Sequence, residues 1–567
     1  MSIKLVNKIH FRNLRGDLFG GLTAAIVALP LALAFGVSSG AGAIAGLYGA
    51  IFVGFFAALF GGTPAQVSGP TGPMTVVITT VIAALVGRYP ETGLTLAFTV
   101  IMLGGAFQIL FGVLRLGQYI TLMPYTVISG FMSGIGVIII LLEIPPLLGY
   151  ESTGGVWGTL QQLPTYLSQP NLVALGLGLL TLAIVFTAPA KLNRILPSPL
   201  LALVVVTVLS VVFFGKAEIP RIGEIPTGLP TLRMPAFNLS ELKDMFRYGL
   251  MLGVLGAIDS LLTSLVADSI TRTQHDSDKE LIGQGIGNCL SGLFGGLPGA
   301  GATMRTVVNV QAGGKTPLSG MTHAVVLLLV VLWAGPLTTA IPQAVLAGLL
   351  LKVGFDIIDW GFIKRVHHLS FKGTGLMYLV LLLTVFVDLI TAVVVGVFIA
   401  NMLTIKRLTD VQSDRFKAIT EPTQSHNLTP AEQEILSQAE GDILLFQLGG
   451  SLSFGAAKII SQRITIIKDY QVLVLDLSDV PSIGVTAALA VETIVEDAVK
   501  RHRHVWIVVS PGQVQRRIET LKLHRFLPKT NSSNIEAGTV KLPQISLVEN
   551  RFQALQSALA IVQEERQ

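Results

Sequence analysis

Cysteine is almost missing from this chain. One residue, Cys289, stands among 567, so no internal disulfide and no thiolate metal cage is expected. Charge is scarce too. Asp, Glu, Lys and Arg make up 13% of the residues, where a soluble globular chain carries roughly a quarter. The formal net charge is only +5 and is dispersed, which argues against nucleic acid as a partner. No cleavable signal peptide is expected, because the basic N-terminus (Lys4, Lys8, Arg12, Arg15) runs into an apolar stretch long enough to be a full span. A nucleotide site is also lacking. Gly313-Gly314-Lys315-Thr316 has the form of a phosphate-loop tail, but Asn309 stands where that motif needs glycine. Lys315 is read as a topology charge, and no step driven by a nucleotide is expected.

What the chain has is apolar sequence: 51% hydrophobic residues, 59 glycines and a mean hydropathy of +0.68. About fourteen apolar segments follow one another, several shorter than the ~20 residues of a full crossing. They cover 18–36, 43–61, 73–87, 95–113, 122–143, 171–188 and 197–214, then 248–266, 281–294, 303–312, 320–334, 341–354, 374–387 and 389–405. With the N-terminus inside, Arg115, Lys191, Arg194, Arg272, Lys279, Lys315, Lys364, Arg365, Lys406 and Arg407 all fall on the cytoplasmic side. The mixed-charge stretch 216–247 falls outside. The expected organisation is a cytoplasmic N-terminus (1–16), a transmembrane domain (17–407) with repeats at about 17–214 and 248–407, a polar linker with a short helix (408–440) and a soluble α/β domain (441–567). In the last, strand-like runs at 443–449, 472–477 and 505–510 alternate with helical stretches near 455–466, 484–500 and 511–524, before an amphipathic helix at 551–564.

The two halves of the membrane region echo each other. Leu59-Phe60-Gly61-Gly62-Thr63-Pro64 recurs as Leu293-Phe294-Gly295-Gly296-Leu297-Pro298. GPTGPMTVV (69–77) and GAGATMRTVV (299–308) follow, opening the third and tenth segments. An odd number of crossings per copy inverts one half against the other. In secondary transporters, Gly/Pro-interrupted short segments in inverted repeats mark the binding site. Both segments should therefore begin extended and turn helical near mid-membrane, each offering free N–H groups and roughly +0.5 of a charge to an anion. Thr71 and Thr303 add hydroxyls at those ends, and Gly72 helps to break the helix. Arg305 lies two residues into the tenth span, facing either the cavity or a neighbouring helix.

Asp259 is the most informative single residue. It sits in the middle of a long apolar helix, where an uncompensated carboxylate is costly and functional by default. Thr263 shares its helix face at i+4, and a carboxylate with hydroxyl and carbonyl oxygens suits a small alkali cation. A membrane receptor signalling through the soluble domain would have no need of such a residue. Asp388 is expected in a short loop with a structural role. His323 is expected as a hydrogen-bonded helix residue rather than a proton relay.

The segments SGPTGPM (68–74), DSDKELIGQGIGN (276–288), GLPGAGATMRT (296–306) and GGKTPLSG (313–320) resemble the SulP family of anion transporters over nearly the whole chain. The similarity is greatest to the cyanobacterial members that carry bicarbonate with sodium. It implies an all-α polytopic, UraA-like fold of seven plus seven inverted spans, with a core domain (spans 1–4 and 8–11) moving like an elevator against a gate domain (5–7 and 12–14). It implies sodium held by Asp259, Thr263, Gly301 and Thr303, and bicarbonate by Thr71 and Ala302, with Gly72 and Arg305 as further candidates at the anion end. It further implies transport rather than enzyme catalysis, no cofactor beyond the coupling ion, a homodimer, and a bacterial plasma-membrane location with both termini cytoplasmic. The residues leave sulfate or dicarboxylate transport coupled to protons open as the alternative. The C-terminal domain resembles STAS modules, which place Asp-Ser-Ser-Gly at a helix start. Here Gly484-Val485-Thr486-Ala487 keeps only the Thr486 hydroxyl, which argues against phosphorylation there.

Overall fold

The computed structural model describes residues 6–7, 11–120, 123–151, 155–189, 196–215, 217–223, 230–369, 371–413, 416–421, 428–452, 470–527 and 543–567. The chain divides into two compact units, Met1–Phe398 and Ile399–Gln567.

In the first unit every expected span is a helix. The first half holds α1 (Leu14–Ser38), α2 (Ala43–Phe60), β1 (Ser68–Gly69), α3 (Gly72–Arg88), α4 (Gly93–Val113), α5 (Tyr125–Leu147), α6 (Gly155–Ser168), α7 (Leu172–Thr187) and α8 (Ser198–Phe214). The second holds α9 (Leu242–Thr271), α10 (Ser277–Leu293), β2 (Ala300–Gly301), α11 (Thr303–Gln311), α12 (Pro317–Thr338), α13 (Gln343–Ile357), α14 (Trp360–Leu369), α15 (Phe371–Phe386) and the start of α16 (Leu389–Ser413), which continues past Phe398 into the second unit. The sequence did not announce α6 and α14, whose polar faces break the apolar runs. Asp388 caps α16, accepting from Thr391 N at 2.9 Å, in the structural role expected of it.

The helices form two groups. α1–α4 pack with α9–α12, while α5, α7 and α8 pack with α13 and α15, as a core and gate arrangement requires. Close approach depends on small residues, since lipid supplies no hydrophobic force between helices. Gly105 of α4 and Gly285 of α10 face each other so tightly that a Cβ on either would lie 2.5 Å from the other's carbonyl oxygen. Described parts of the stretch expected outside, 217–223 and 230–247, bond to one end of the bundle. Arg233 N donates to Leu293 O (2.7 Å), Ile222 N to Ile341 O (3.0 Å), and Arg88 pairs with Glu241 (3.0 Å). All these contacts fall at the end expected to face outward.

The second unit is a five-stranded sheet in the order β3 (Lys417–Ile419), β4 (Ile443–Gly449), β5 (Val472–Asp479), β6 (His504–Val508), β7 (Ile545–Val548). β3 is antiparallel to β4 and the remaining pairs are parallel. β5 is buried along six consecutive residues, as a central strand covered on both faces must be. One face packs under α18 (Val485–Lys500) and α19 (Gln513–Thr520). The other packs under α17 (Pro430–Ala439) and α20 (Arg551–Arg566). Of the stretch expected as a linker with a short helix, 408–440, the helix is α17, and the described residues add the strand β3 to this unit. The helix expected at 455–466 lies outside the described residues, as do Lys4, Lys8, Lys191 and Arg194. Thr486 is exposed in the first turn of α18.

Candidate functional site

The Gly/Pro stretches of the two repeats meet. β1 and β2 pair antiparallel, Ser68 opposite Gly301 and Gly69 opposite Ala300, and each leads straight into a helix. Thr71 is extended at the N-cap of α3 (φ −121°, ψ 158°), and Ala302 holds the same place before α11 (φ −106°, ψ 105°). Neither helix start carries a side-chain cap, so first-turn N–H groups remain for a ligand. The extended-then-helical form expected of both segments is what the structure has.

These ends open onto a cavity of about 1550 Å3. Its walls include Thr71, Gly72, Asp259, Gly301, Ala302, Thr303 and Arg305 from the core, and Ser129, Met132 and Lys352 from the gate. Arg305, left undecided between two directions, faces the cavity. It is 4% exposed and its Nη2 donates to the Pro70 carbonyl, tying α11 to the opposite repeat. Gly69 makes room for it, with φ +151° and a hypothetical Cβ 2.7 Å from Arg305 Nη1.

Asp259 is 8% exposed. It shares the cavity wall with Thr71 and Arg305. Neither Thr71 Oγ1 nor Asp259 Oδ2 has a partner with hydrogen-bond geometry among the described residues. A turn further along α9, Thr263 Oγ1 donates to Gly301 O at 2.9 Å and lies 2.9 Å from Thr303 Oγ1. Thr263 is fully buried and does not line the cavity, while Thr303 does. The eight candidate residues are thus gathered around one crossing: the helix ends and Arg305 supply positive potential, and Asp259 with three neutral oxygens supplies negative.

Sequence reasoning missed the supports behind this site. Glu280, 1% exposed, accepts from Thr63 N (2.9 Å), Gln66 Nε2 (2.8 Å) and Gln284 Nε2 (2.8 Å). Ser264 Oγ lies 2.7 Å from Thr63 Oγ1 and 3.0 Å from Gln66 Oε1, and Gly301 N donates to Ser260 Oγ (3.1 Å). The i, i+4 pair of Glu280 and Gln284 was the visible signal. His323 departs from expectation: it is fully buried, and neither ring nitrogen finds a hydrogen-bond partner among the described residues. The GGKT loop does cradle an anion, but one from its own chain. Asp17 accepts from Lys315 N (2.8 Å), Thr316 N (3.0 Å) and Thr316 Oγ1 (2.7 Å).

The sulfate permease family profile matches residues 14–380 and the STAS domain profile matches 434–537. The chain is 56% identical over 540 residues to the bicarbonate transporter BicA of Synechocystis sp., covering 95% of this chain and 96% of that one. It is 30% identical to the putative sulfate transporter YvdB of Bacillus subtilis, covering 79% and 82%. Among solved structures, the transmembrane domain of a cyanobacterial bicarbonate transporter BicA aligns with a TM-score of 0.65 at 59% identity, over 69% of this chain and all of that one. The murine anion transporter Slc26a9, at 20% identity, shares the fold over 91% of this chain and 88% of its own, with a TM-score of 0.76.

Proposed function

Since the chain belongs to the sulfate permease family and carries a STAS domain, we propose that this multi-pass membrane protein takes up bicarbonate together with sodium. The relative with 56% identity is named a bicarbonate transporter. The observation that carries the coupled reading is the opposition of charge in one cavity. Asp259, with a carboxylate oxygen that has no partner among the described residues, shares the cavity with Arg305 and two uncapped half-helix ends. Bicarbonate would sit against Thr71, Gly72, Ala302 and Arg305. Sodium would take its oxygens from Asp259, Thr263, Gly301 and Thr303, a hard donor set. Each ion screens the other, so each should raise the other's affinity by the same factor. A one-to-one pair is neutral and escapes the cost of about 2.3 kcal/mol per charge per 100 mV. The core group carries the pair by moving against the gate group, the termini lie in the cytoplasm of a bacterial cell, and the protein works as a homodimer.

The test is radiolabelled bicarbonate uptake into proteoliposomes with and without a sodium gradient. Sodium-stimulated uptake is the expected result. Uptake indifferent to sodium but steepened by external acid overturns the sodium reading in favour of proton coupling.

A further inference from the structure

The path through the protein does not stop at the half-helix ends. Phe35 and Gly72 line the large cavity and also a second, much smaller space of about 10 Å3 beyond it. Gly72 accounts for the neck between them. A Cβ there would come within 2.6 Å of Ile357 Cδ1 and 2.9 Å of Ile139 Cδ1, so two gate isoleucines press directly on the start of α3. Past this apolar neck the lining turns polar, with Ser38 from α1, Thr75 and Thr79 from α3, and Glu143 from α5.

Glu143 is 3% exposed and accepts a hydrogen bond from Ser38 Oγ at 2.5 Å. Thr79 Oγ1 is turned onto the Thr75 carbonyl at 2.7 Å. Thr75 Oγ1, on a residue 4% exposed, has no hydrogen-bond partner among the described residues. No cationic side chain is among the residues lining this space. A buried carboxylate within a spanning helix is costly and functional by default. With hydroxyls around it and no cation beside it, the set repels an anion and suits a small hard cation. The space holds about one water-sized body.

We propose that Glu143, with Thr75 and Thr79, forms a second site for a monovalent cation of sodium's size, on the outer side of the neck. Ser38 belongs to the core and Glu143 to the gate, so their hydrogen bond bridges two groups that must separate when the outer path opens. In that step the carboxylate loses Ser38 and gains the cation, which then passes the neck to Asp259. The site rests on the sodium-coupled reading given above.

The experiment is bicarbonate uptake with sodium titrated on the outer side of proteoliposomes, using Glu143→Gln and Ser38→Ala in the full chain. Glu143→Gln should raise the half-saturating sodium concentration about tenfold, the loss expected for one charged contact. Ser38→Ala, which removes the competitor for the carboxylate, should lower it. Opposite shifts support a cation site. Equal slowing of turnover in both variants with the sodium response untouched leaves only a bridge and overturns the site. If Glu143→Gln fails to reach the membrane, Thr75→Val and Glu143→Asp carry the test. Thr75→Val should raise half-saturating sodium and Glu143→Asp should stay nearer wild type, and wild-type sodium responses in both overturn the site. Wild-type uptake that ignores sodium overturns the coupled reading and this site together, whereas a sodium-stimulated wild type matched by Glu143→Gln overturns this site alone.

Discussion

The membrane unit and the soluble unit bury charge in opposite ways. In the soluble unit, Glu432 and Asp476 have side chains 4% exposed, and Arg551 joins both, at 2.8 Å and 3.3 Å. The arrangement is closed: Arg551 Nη2 reaches the second Glu432 oxygen at 3.1 Å, and Thr429 N donates to it at 2.8 Å. In the membrane unit, Asp259 and Arg305 both line a cavity, and Asp259 Oδ2 keeps no partner among the described residues. Desolvating a charge is costly in both places. A triad that satisfies itself has nothing to offer a ligand, whereas charges held apart beside a cavity are completed by substrates. Glu280 marks the boundary between the two: it lies in the membrane unit yet is fully engaged by neutral N–H donors, and it supports the site rather than belonging to it.

The comparison breaks first at Asp259. Asp259→Asn keeps the shape and removes the charge, so sodium-stimulated bicarbonate uptake should disappear while the protein still folds and inserts. Full stimulation in this variant, measured in proteoliposomes, would sink the role given to the carboxylate. The matching change in the soluble unit is Arg551→Ala. It strands Glu432 and Asp476, and should cost about 2–3 kcal/mol of local stability, since the lost contacts are charged and mostly buried. Hydrogen exchange in β4 and β5 of the intact chain reads that loss. Sodium and bicarbonate half-saturation in the same variant should match wild type.

A smaller effect sharpens the membrane side. Thr71→Ala removes from the cavity wall a hydroxyl with no partner among the described residues. It should raise half-saturating bicarbonate about fivefold, corresponding to one neutral hydrogen bond of about 1 kcal/mol. An unchanged value would place the anion elsewhere than against α3.

How much of this was legible follows from where the information lies. The spans were readable because lipid demands long apolar runs, and the crossing was readable because Gly69, Pro70, Gly72 and Pro73 prevent a helix from running continuously through this stretch. The direction of Arg305 was not readable, because the rotation of a half-helix depends on where it starts, which β1–β2 pairing decides. Glu280 sits in a charged segment that reads as surface, and Glu143 closes an apolar run like an ordinary span end. Only packing buries them. β3 is three residues long, too short for periodicity, and exists because β4 offers it an edge.

The smallest expected effect concerns pH and the closed triad. Burial pushes the Glu432 carboxyl up, but hydrogen bonds from Arg551 and Thr429 and the Arg551 charge outweigh it, so the group is held below the usual carboxylate range. The unfolded chain therefore takes up this proton at a higher pH than the folded one. By linkage, the stabilisation is fully present above the unfolded value of about 4.3 and fades as pH falls through the lower folded value. Between pH 7 and pH 5 the β4 and β5 amides should keep constant protection from this source, and below that protection should decline by up to about 1 kcal/mol, since Arg551 is partly exposed. Glu432→Gln should be less stable at neutral pH and should flatten this decline. An equal decline in the variant would mean that acid reaches the sheet through another group, and that the triad is held by packing more than by charge.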